Sequence, residues 1–335
     1  MHSLEVPVIA MGRWFHGTSD DRAAVARSVD KACRAIGFLV ITEHGVDSAL
    51  ISRVDRAARA FFAQPQASKR ALDRPRDDAV RGYSAVGEEG LSYSLEQAAP
   101  GDLKESFSIG PSDVTDDDYH RGPLAGAHFE PNIWPHGIAD FEPACRAYFD
   151  AMTALAQELM RIFAQALELP ASYFDSRIDR HISMFRVLSY PPQFSAPQDG
   201  QMRAGAHSDY GSLTIVSPDG PGLQVCNKAG QWLDVPMVAG GLVVNIGDLM
   251  QQWTHDRWRS TLHRVCNPPL HDSSKPTRRQ SLVFFHQPNY DARIECLPSC
   301  LPADGVSRYP PISSGAHLQA KFLKQTTFGG TKVKL

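Results

Sequence analysis

Three residues of this chain have the types and spacing to hold a metal ion. His207 and Asp209 stand two apart in His207-Ser208-Asp209, and His263 follows in Leu262-His263-Arg264-Val265. The stretch 206–216 reads as one strand, and residues two apart on a strand share a face, so both side chains enter one cavity. Two imidazoles and a carboxylate are the facial set of non-haem iron(II) oxygenases, which leaves three positions open for co-substrate and O2. With 13 His in 335 residues, roughly one H-x-D arises by chance, so the pair alone is a weak signal. Its surroundings add the weight. Arg279-Gln280-Ser281 opens the apolar run Leu282-Val283-Phe284-Phe285, and an Arg heading a buried strand requires an anion. A guanidinium fork beside a hydroxyl is a receptor for a carboxylate. Tyr190, closing the strand that carries Arg186, can add a phenolic hydrogen bond.

These residues need a scaffold, and the periodicity supplies one. Val25, Val29, Ala32, Cys33 and Ile36 follow the helical period up to Gly37, and Leu50, Val54, Ala57, Phe61 and Phe62 do so before Pro65. A long helix carries Tyr148, Met152, Leu155, Leu159 and Phe163 and stops at Pro170. Between them, residues 68–136 read as irregular, and a loop that long is a candidate cover for a site. After Pro170 the period changes to short β-runs at 181–190, 206–216, 222–226, 232–235, 242–246, 260–266 and 281–286, with turn-rich joints. With the run 38–41 they make about eight strands, the number of a jelly roll. The tail from 313 to 328 is helical in pattern. The expected fold class is therefore mainly β with flanking helices. Residues 1–135 form a helix, strand and loop region, and 136–335 hold the β core (about 180–290) and a C-terminal helix, all in one unit.

Composition excludes other classes. A balance of 34 basic against 37 acidic residues, net −3, provides no field for a nucleic-acid backbone. The apolar runs are too short to span a bilayer, and the N-terminus has no signal-peptide pattern. The expectation is a soluble cytoplasmic protein with neither nucleic-acid nor membrane partner; oligomeric state is not legible. Six scattered cysteines suggest no disulfide framework, and Cys296 and Cys300 read as two loop thiols.

Several stretches resemble the isopenicillin N synthase-like family of iron(II)/2-oxoglutarate-dependent dioxygenases. They are Asp102-Leu103-Lys104-Glu105-Ser106-Phe107, Leu188-Ser189-Tyr190-Pro191-Pro192, Ala206-His207-Ser208-Asp209-Tyr210-Gly211-Ser212-Leu213-Thr214, Asn245-Ile246-Gly247-Asp248-Leu249-Met250-Gln251, Ser260-Thr261-Leu262-His263-Arg264-Val265, Arg279-Gln280-Ser281 and Tyr309-Pro310-Pro311-Ile312. They run in family order over nearly the whole chain. The resemblance implies a double-stranded β-helix (jelly-roll, cupin-like) core. It implies iron on His207, Asp209 and His263, and the distal carboxylate of 2-oxoglutarate on Arg279 and Ser281 with Tyr190. Where the family often has Asn, this chain has Leu188, and neighbouring Arg186 or Asn245 can supply that contact. The loop from His263 to Arg279 is longer than in plant members.

The implied activity is oxidation, foremost hydroxylation, of a small molecule, with release of succinate and CO2 and with ascorbate as a reductant. Two alternatives stay open: an iron(II) oxidase of the same family that does not use 2-oxoglutarate (cyclase or ethylene-forming), and a catalytically silent jelly-roll binding protein. Tyr83, Phe107, Met184, Arg186, Met202, Arg203 and Phe285, with Phe322 and Phe328 of the tail, are candidates for the substrate pocket. Arg186 and Arg203 hint at an acidic substrate, and Glu88-Glu89 reads as solvated.

Overall fold

The computed structural model describes residues 5–76, 79–95, 99–112, 114–269, 277–328 and 331–332. Twelve strands make up the two main sheets: β1 (Val8–Ala10), β2 (Phe38–Thr42), β3 (Gly82–Ser84), β4 (Glu105–Ile109), β5 (Met184–Tyr190), β6 (Ala204–His207), β7 (Leu213–Pro218), β8 (Leu223–Cys226), β9 (Trp232–Asp234), β10 (Leu242–Ile246), β11 (His263–Val265) and β12 (Arg279–His286). The larger sheet runs β1-β2-β10-β7-β12-β5-β4-β3, and the smaller one β6-β11-β8-β9. Successive strands from β5 to β12 are shared between the two sheets, which makes the double-stranded β-helix. Its strands pair antiparallel throughout.

The large sheet is backed by three helices, α1 (Ser19–Ala35), α2 (Ser48–Phe62) and α3 (Phe141–Ala166). Thr18 and Asp21 form a reciprocal capping box at the start of α1, which satisfies two backbone donors that a helix end otherwise leaves open. Gly37 ends it with φ +70, and a Cβ there would lie 2.1 Å from the Arg259 carbonyl oxygen. Only glycine fits both demands. Tyr148, Met152, Leu155, Leu159 and Phe163 of α3 are buried against the other two helices and the sheet.

Three expectations change. The run 206–216 is not one strand: β6 ends at His207 and β7 begins at Leu213, in the other sheet. The turn between them is pressed against its neighbours, since a Cβ on Gly211 would lie 2.3 Å from the His286 oxygen. The run 38–41 is β2, an addition to the large sheet beside β10 and not one of the eight core strands. Residues 68–136 are not all irregular, because β3 and β4 extend the large sheet beyond β5. The strand signal of β4 is hidden by its polar residues. Glu105 is buried there, accepting from Lys69 Nζ at 2.6 Å and from the Tyr83 hydroxyl at 2.7 Å. The first 135 residues and the rest thus share one continuous sheet. Most of the long 263–279 loop, residues 270–276, lies outside the described residues.

Buried His286 and partly buried His181, behind the site, make stability pH-dependent. Burial, with His181 nearby, pushes His286 down to about 3, and burial pushes His181 down to about 4. In the unfolded chain each titrates near about 6.5. Protons therefore bind the unfolded state first, and stability falls as pH drops from about 6.5 towards 4. Urea unfolding of metal-free protein is expected to lose up to about 1.4 kcal/mol per pH unit for each such group. His286→Asn should flatten that slope; an unchanged slope would show that His286 is not buried as the neutral form.

Candidate metal centre and co-substrate cavity

The three metal-binding candidates come together from separate elements. His207 is the last residue of β6, Asp209 sits in the following turn, and His263 opens β11 directly opposite His207. Asp209 Oδ1 lies 3.9 Å from His207 Nε2 and 3.8 Å from His263 Nε2. Each imidazole is turned by its other nitrogen: His207 Nδ1 lies 2.8 Å from the Gly205 carbonyl oxygen, and His263 Nδ1 lies 3.1 Å from that of Thr261. A carbonyl can only accept, so Nδ1 carries the hydrogen and Nε2 keeps its lone pair for a metal. Asn245 Nδ2 donates to Asp209 Oδ2 at 2.7 Å, leaving Oδ1 for the shared point. The turn is fixed by the Asp248 amide, which donates to the Asp209 carbonyl at 2.8 Å. Burial, the neighbouring His263 and Lys104 push His207 down to about 3, against the pull of Asp209. Burial alone would raise the Asp209 carboxyl, but His263, His207 and hydrogen bonds from Asn245 and Thr214 hold it below the ordinary value. Metal ligation needs neutral imidazole and ionised carboxylate, and the shifts of His207 and Asp209 favour those forms.

Arg279 and Tyr190 face each other across β12 and β5. Alternate residues share a face, so Arg279, Ser281, Val283 and Phe285 look into the same cavity as Tyr190, Leu188, Arg186 and Met184. The Arg279 side chain is buried and braced. Its Nη1 donates to Ser281 Oγ at 2.6 Å, and its Nε reaches the Gly220 and Pro221 carbonyls at 3.1 and 3.2 Å. Its guanidinium lies 5.0 Å from the centre of the Tyr190 ring. The cavity, about 1130 Å³ with its mouth, thus has a cationic end at Arg279 and the three ligand atoms on its wall.

Residues 6–137 match the family described as non-haem dioxygenase in morphine synthesis N-terminal, and residues 181–288 match the 2OG-Fe(II) oxygenase superfamily. The 2-oxoglutarate-Fe(II) type oxidoreductase hxnY of Emericella nidulans is 35% identical over 307 residues, covering 89% of this chain and 84% of its own. The chain belongs to the 2-oxoglutarate–iron(II) oxygenase superfamily. Validamycin A dioxygenase of Streptomyces hygroscopicus is 32% identical over 328 residues, covering 96% of this chain and 87% of its own. A full-length Neurospora crassa protein, solved in complex with alpha-KG and thymine, superposes with TM-score 0.83 at 29% identity, over 95% of this chain and 96% of that one. This oxygenase uses iron(II), 2-oxoglutarate and O2. The 2-oxoglutarate-dependent reading displaces both the co-substrate-independent oxidase and the silent binding protein.

The substrate candidates divide by strand parity. Met184, Arg186 and Phe285 line the oxygenase cavity, with Phe322 and Leu318 from α4 (Ser314–Thr326) and Tyr210 from the candidate metal-binding turn. Tyr83 and Phe107 do not: their rings pack with Phe61 in the helix-backed core, on the opposite face of the sheet. Phe107 pairs with Val187, the β5 neighbour of Arg186 that points away from the cavity. Arg203 is buried outside the cavity wall and donates to the Thr277 carbonyl, and Met202 is absent from the described lining. The side chain of Phe328 lies outside the described residues. Glu89 is not solvated: it accepts from Arg186 Nη2 at 2.6 Å, and the pull of Arg186 and Lys104 more than offsets its burial, holding it well below its ordinary value. Glu88 accepts from the Ala85 amide at 2.8 Å and pairs with Arg70. Lys104, a cavity-lining cation with its Nζ 2.7 Å from Asp102 Oδ2, went unread as a site residue; its only signal was its place in the Asp102–Phe107 stretch.

Proposed function

We propose that His207, Asp209 and His263 hold the iron(II), that Arg279 and Ser281 with Tyr190 hold the distal carboxylate of 2-oxoglutarate, and that this oxygenase hydroxylates a small molecule in the cavity. The observation that carries the reading is the convergence of two imidazole Nε2 atoms and one carboxylate oxygen on a wall of the cavity that ends at Arg279. Bound iron supplies O2 activation coupled to oxidative decarboxylation of 2-oxoglutarate. The protein's own part is positional. The two carbonyls fix the imidazoles, Asn245 turns the carboxylate, and the Arg279 fork presents two aligned donors to one end of the co-substrate. Leu188, Val216, Leu223, Val265 and Val283 wall the cavity with apolar surface, which excludes water from the reacting centre. Validamycin A in one relative's name and thymine in a neighbour's complex are both small molecules, and they support that size of substrate here. The test is anaerobic addition of iron(II) and then 2-oxoglutarate. A weak visible charge-transfer band, absent without either component, is expected, and its failure to develop would sink the assignment.

Helix α4 lines the cavity together with Val80, Leu91 and His128 of the 68–136 segment, and we infer that these elements cover its mouth. Lys321 of α4 pairs with Asp248 and lies 5.5 Å from the centre of the Tyr210 ring, while Phe322 meets that ring at 6.1 Å. This mostly buried ion pair contributes on the order of 1 kcal/mol, beside the packing of Leu318 and Phe322 with Phe129 and Tyr290. Amide exchange in 314–326 is expected to slow when iron and 2-oxoglutarate bind. Lys321→Ala should speed it by roughly two- to five-fold. Identical exchange in all three samples would remove the cover.

A further inference from the structure

On the oxygenase reading above, the structure assigns a substrate class: a neutral small molecule that donates a hydrogen bond to Gln287 and accepts one from Arg186. Gln287 follows β12 and is 5% exposed. Its backbone is pinned, with the amide donating to Ser183 Oγ at 3.1 Å. Its side chain lies against the metal-binding turn, where a Cβ on Gly211 would be 2.9 Å from Gln287 Cδ and Nε2. That side chain lines the cavity, yet Oε1 has no hydrogen-bond partner among the described residues. A buried acceptor without a donor is costly, and the chemistry that completes it is an N–H or O–H group.

Arg186 stands on the same wall. Strand alternation places it and Gln287 on either side of the cross-strand pair Met184 and Phe285. Its Nη2 is engaged by Glu89 and Ser106, each at 2.6 Å, but its Nε has no partner among the described residues. The two cations that line this wall already have carboxylate partners. Arg186 meets Glu89, and Lys104 meets Asp102 at 2.7 Å and Glu89 at 3.4 Å, with Arg74 also close enough to pull on Glu89. An acidic substrate would bring an unpaired charge into this buried network, which is unfavourable. The unmet needs of the wall are therefore one donor and one acceptor, over an apolar floor whose lining cations Arg186 and Lys104 are already paired. The hint of an acidic substrate read from Arg186 in isolation does not survive its partners.

The test is a ligand-observed NMR screen, run anaerobically on the protein loaded with iron(II) and 2-oxoglutarate. The probes are matched pairs that differ by a carboxylate: uracil and orotate, nicotinamide and nicotinate, 2-pyrrolidone and pyroglutamate. Neutral members are expected to bind at least about ten-fold more tightly than their acids. Gln287→Leu should weaken them by about ten-fold or more, the effect of removing one partner of a buried hydrogen bond. Gln287→Glu, which keeps an acceptor but adds a charge, should widen the discrimination against the acids. Preference for the acids, neutral binding untouched in both variants, or no binding by any neutral member would overturn the inference. Failure of wild-type protein to take up iron and 2-oxoglutarate would strike instead at the oxygenase assignment itself.

Discussion

Alanine at His207, at Asp209 or at His263 is expected to abolish iron(II) retention and turnover while the fold persists. The three ligand atoms belong to a strand end, a turn and a facing strand, so each alanine removes one third of the proposed protein ligand set without touching the helix-backed core. Loss of a residue that merely orients a metal ligand already lowers metal affinity by about 10- to 100-fold. Loss of a ligand should exceed that. Asn245→Ala is the graded control, because it frees Asp209 Oδ2 while leaving every ligand in place; it should fall within the 10- to 100-fold range. Iron content after desalting, read beside thermal unfolding of the metal-free protein, separates loss of metal from loss of fold. Wild-type iron content and activity in any of the three alanine variants would show that the ligand set is wrong.

Arg279→Leu is expected to raise the 2-oxoglutarate requirement by on the order of a hundred-fold or more while iron binding changes little. The residue is 2% exposed, and its guanidinium is already braced by Ser281 and two backbone carbonyls, so little side-chain freedom remains to be lost on binding. Removing one partner of a desolvated ion pair costs about 3–5 kcal/mol, and each 1.4 kcal/mol is about ten-fold in affinity. Arg279→Lys should be intermediate, since an ammonium is a point charge and cannot reproduce the fork. Anaerobic titration of 2-oxoglutarate into each iron-loaded variant measures this directly. An unchanged dissociation constant in Arg279→Leu would place the distal carboxylate elsewhere.

Much of the centre was legible because its chemistry is local. Arg279-Gln280-Ser281 places a fork and a hydroxyl on one strand face at a spacing of two, and the structure brings these two into contact. His207 and Asp209 were paired for a reason that failed in detail. They do not share a strand face; the turn after β6 delivers the carboxylate, and the close approach of Gly211 to the His286 carbonyl sets that turn. A linear pattern carries no sign of such a contact, because the neighbour lies 75 positions away along the chain (286 minus 211).

The sequence by itself determined the helices, the change to short strands after Pro170 and the candidate ligand types, since each depends on periodicity or on a side chain's own chemistry. Tertiary structure decided which strands join which sheet, and so which side chains face the cavity. Tyr83 and Phe107 show the limit: in sequence they are plausible pocket aromatics, but sheet parity turns them into the core with Phe61. It also decided the charge of the wall. Arg186 read alone is a free cation, and only the fold brings Glu89, 97 positions away, to 2.6 Å of it. Periodicity reports what repeats along the chain, whereas pairing between distant residues depends on the sheet register that packing selects.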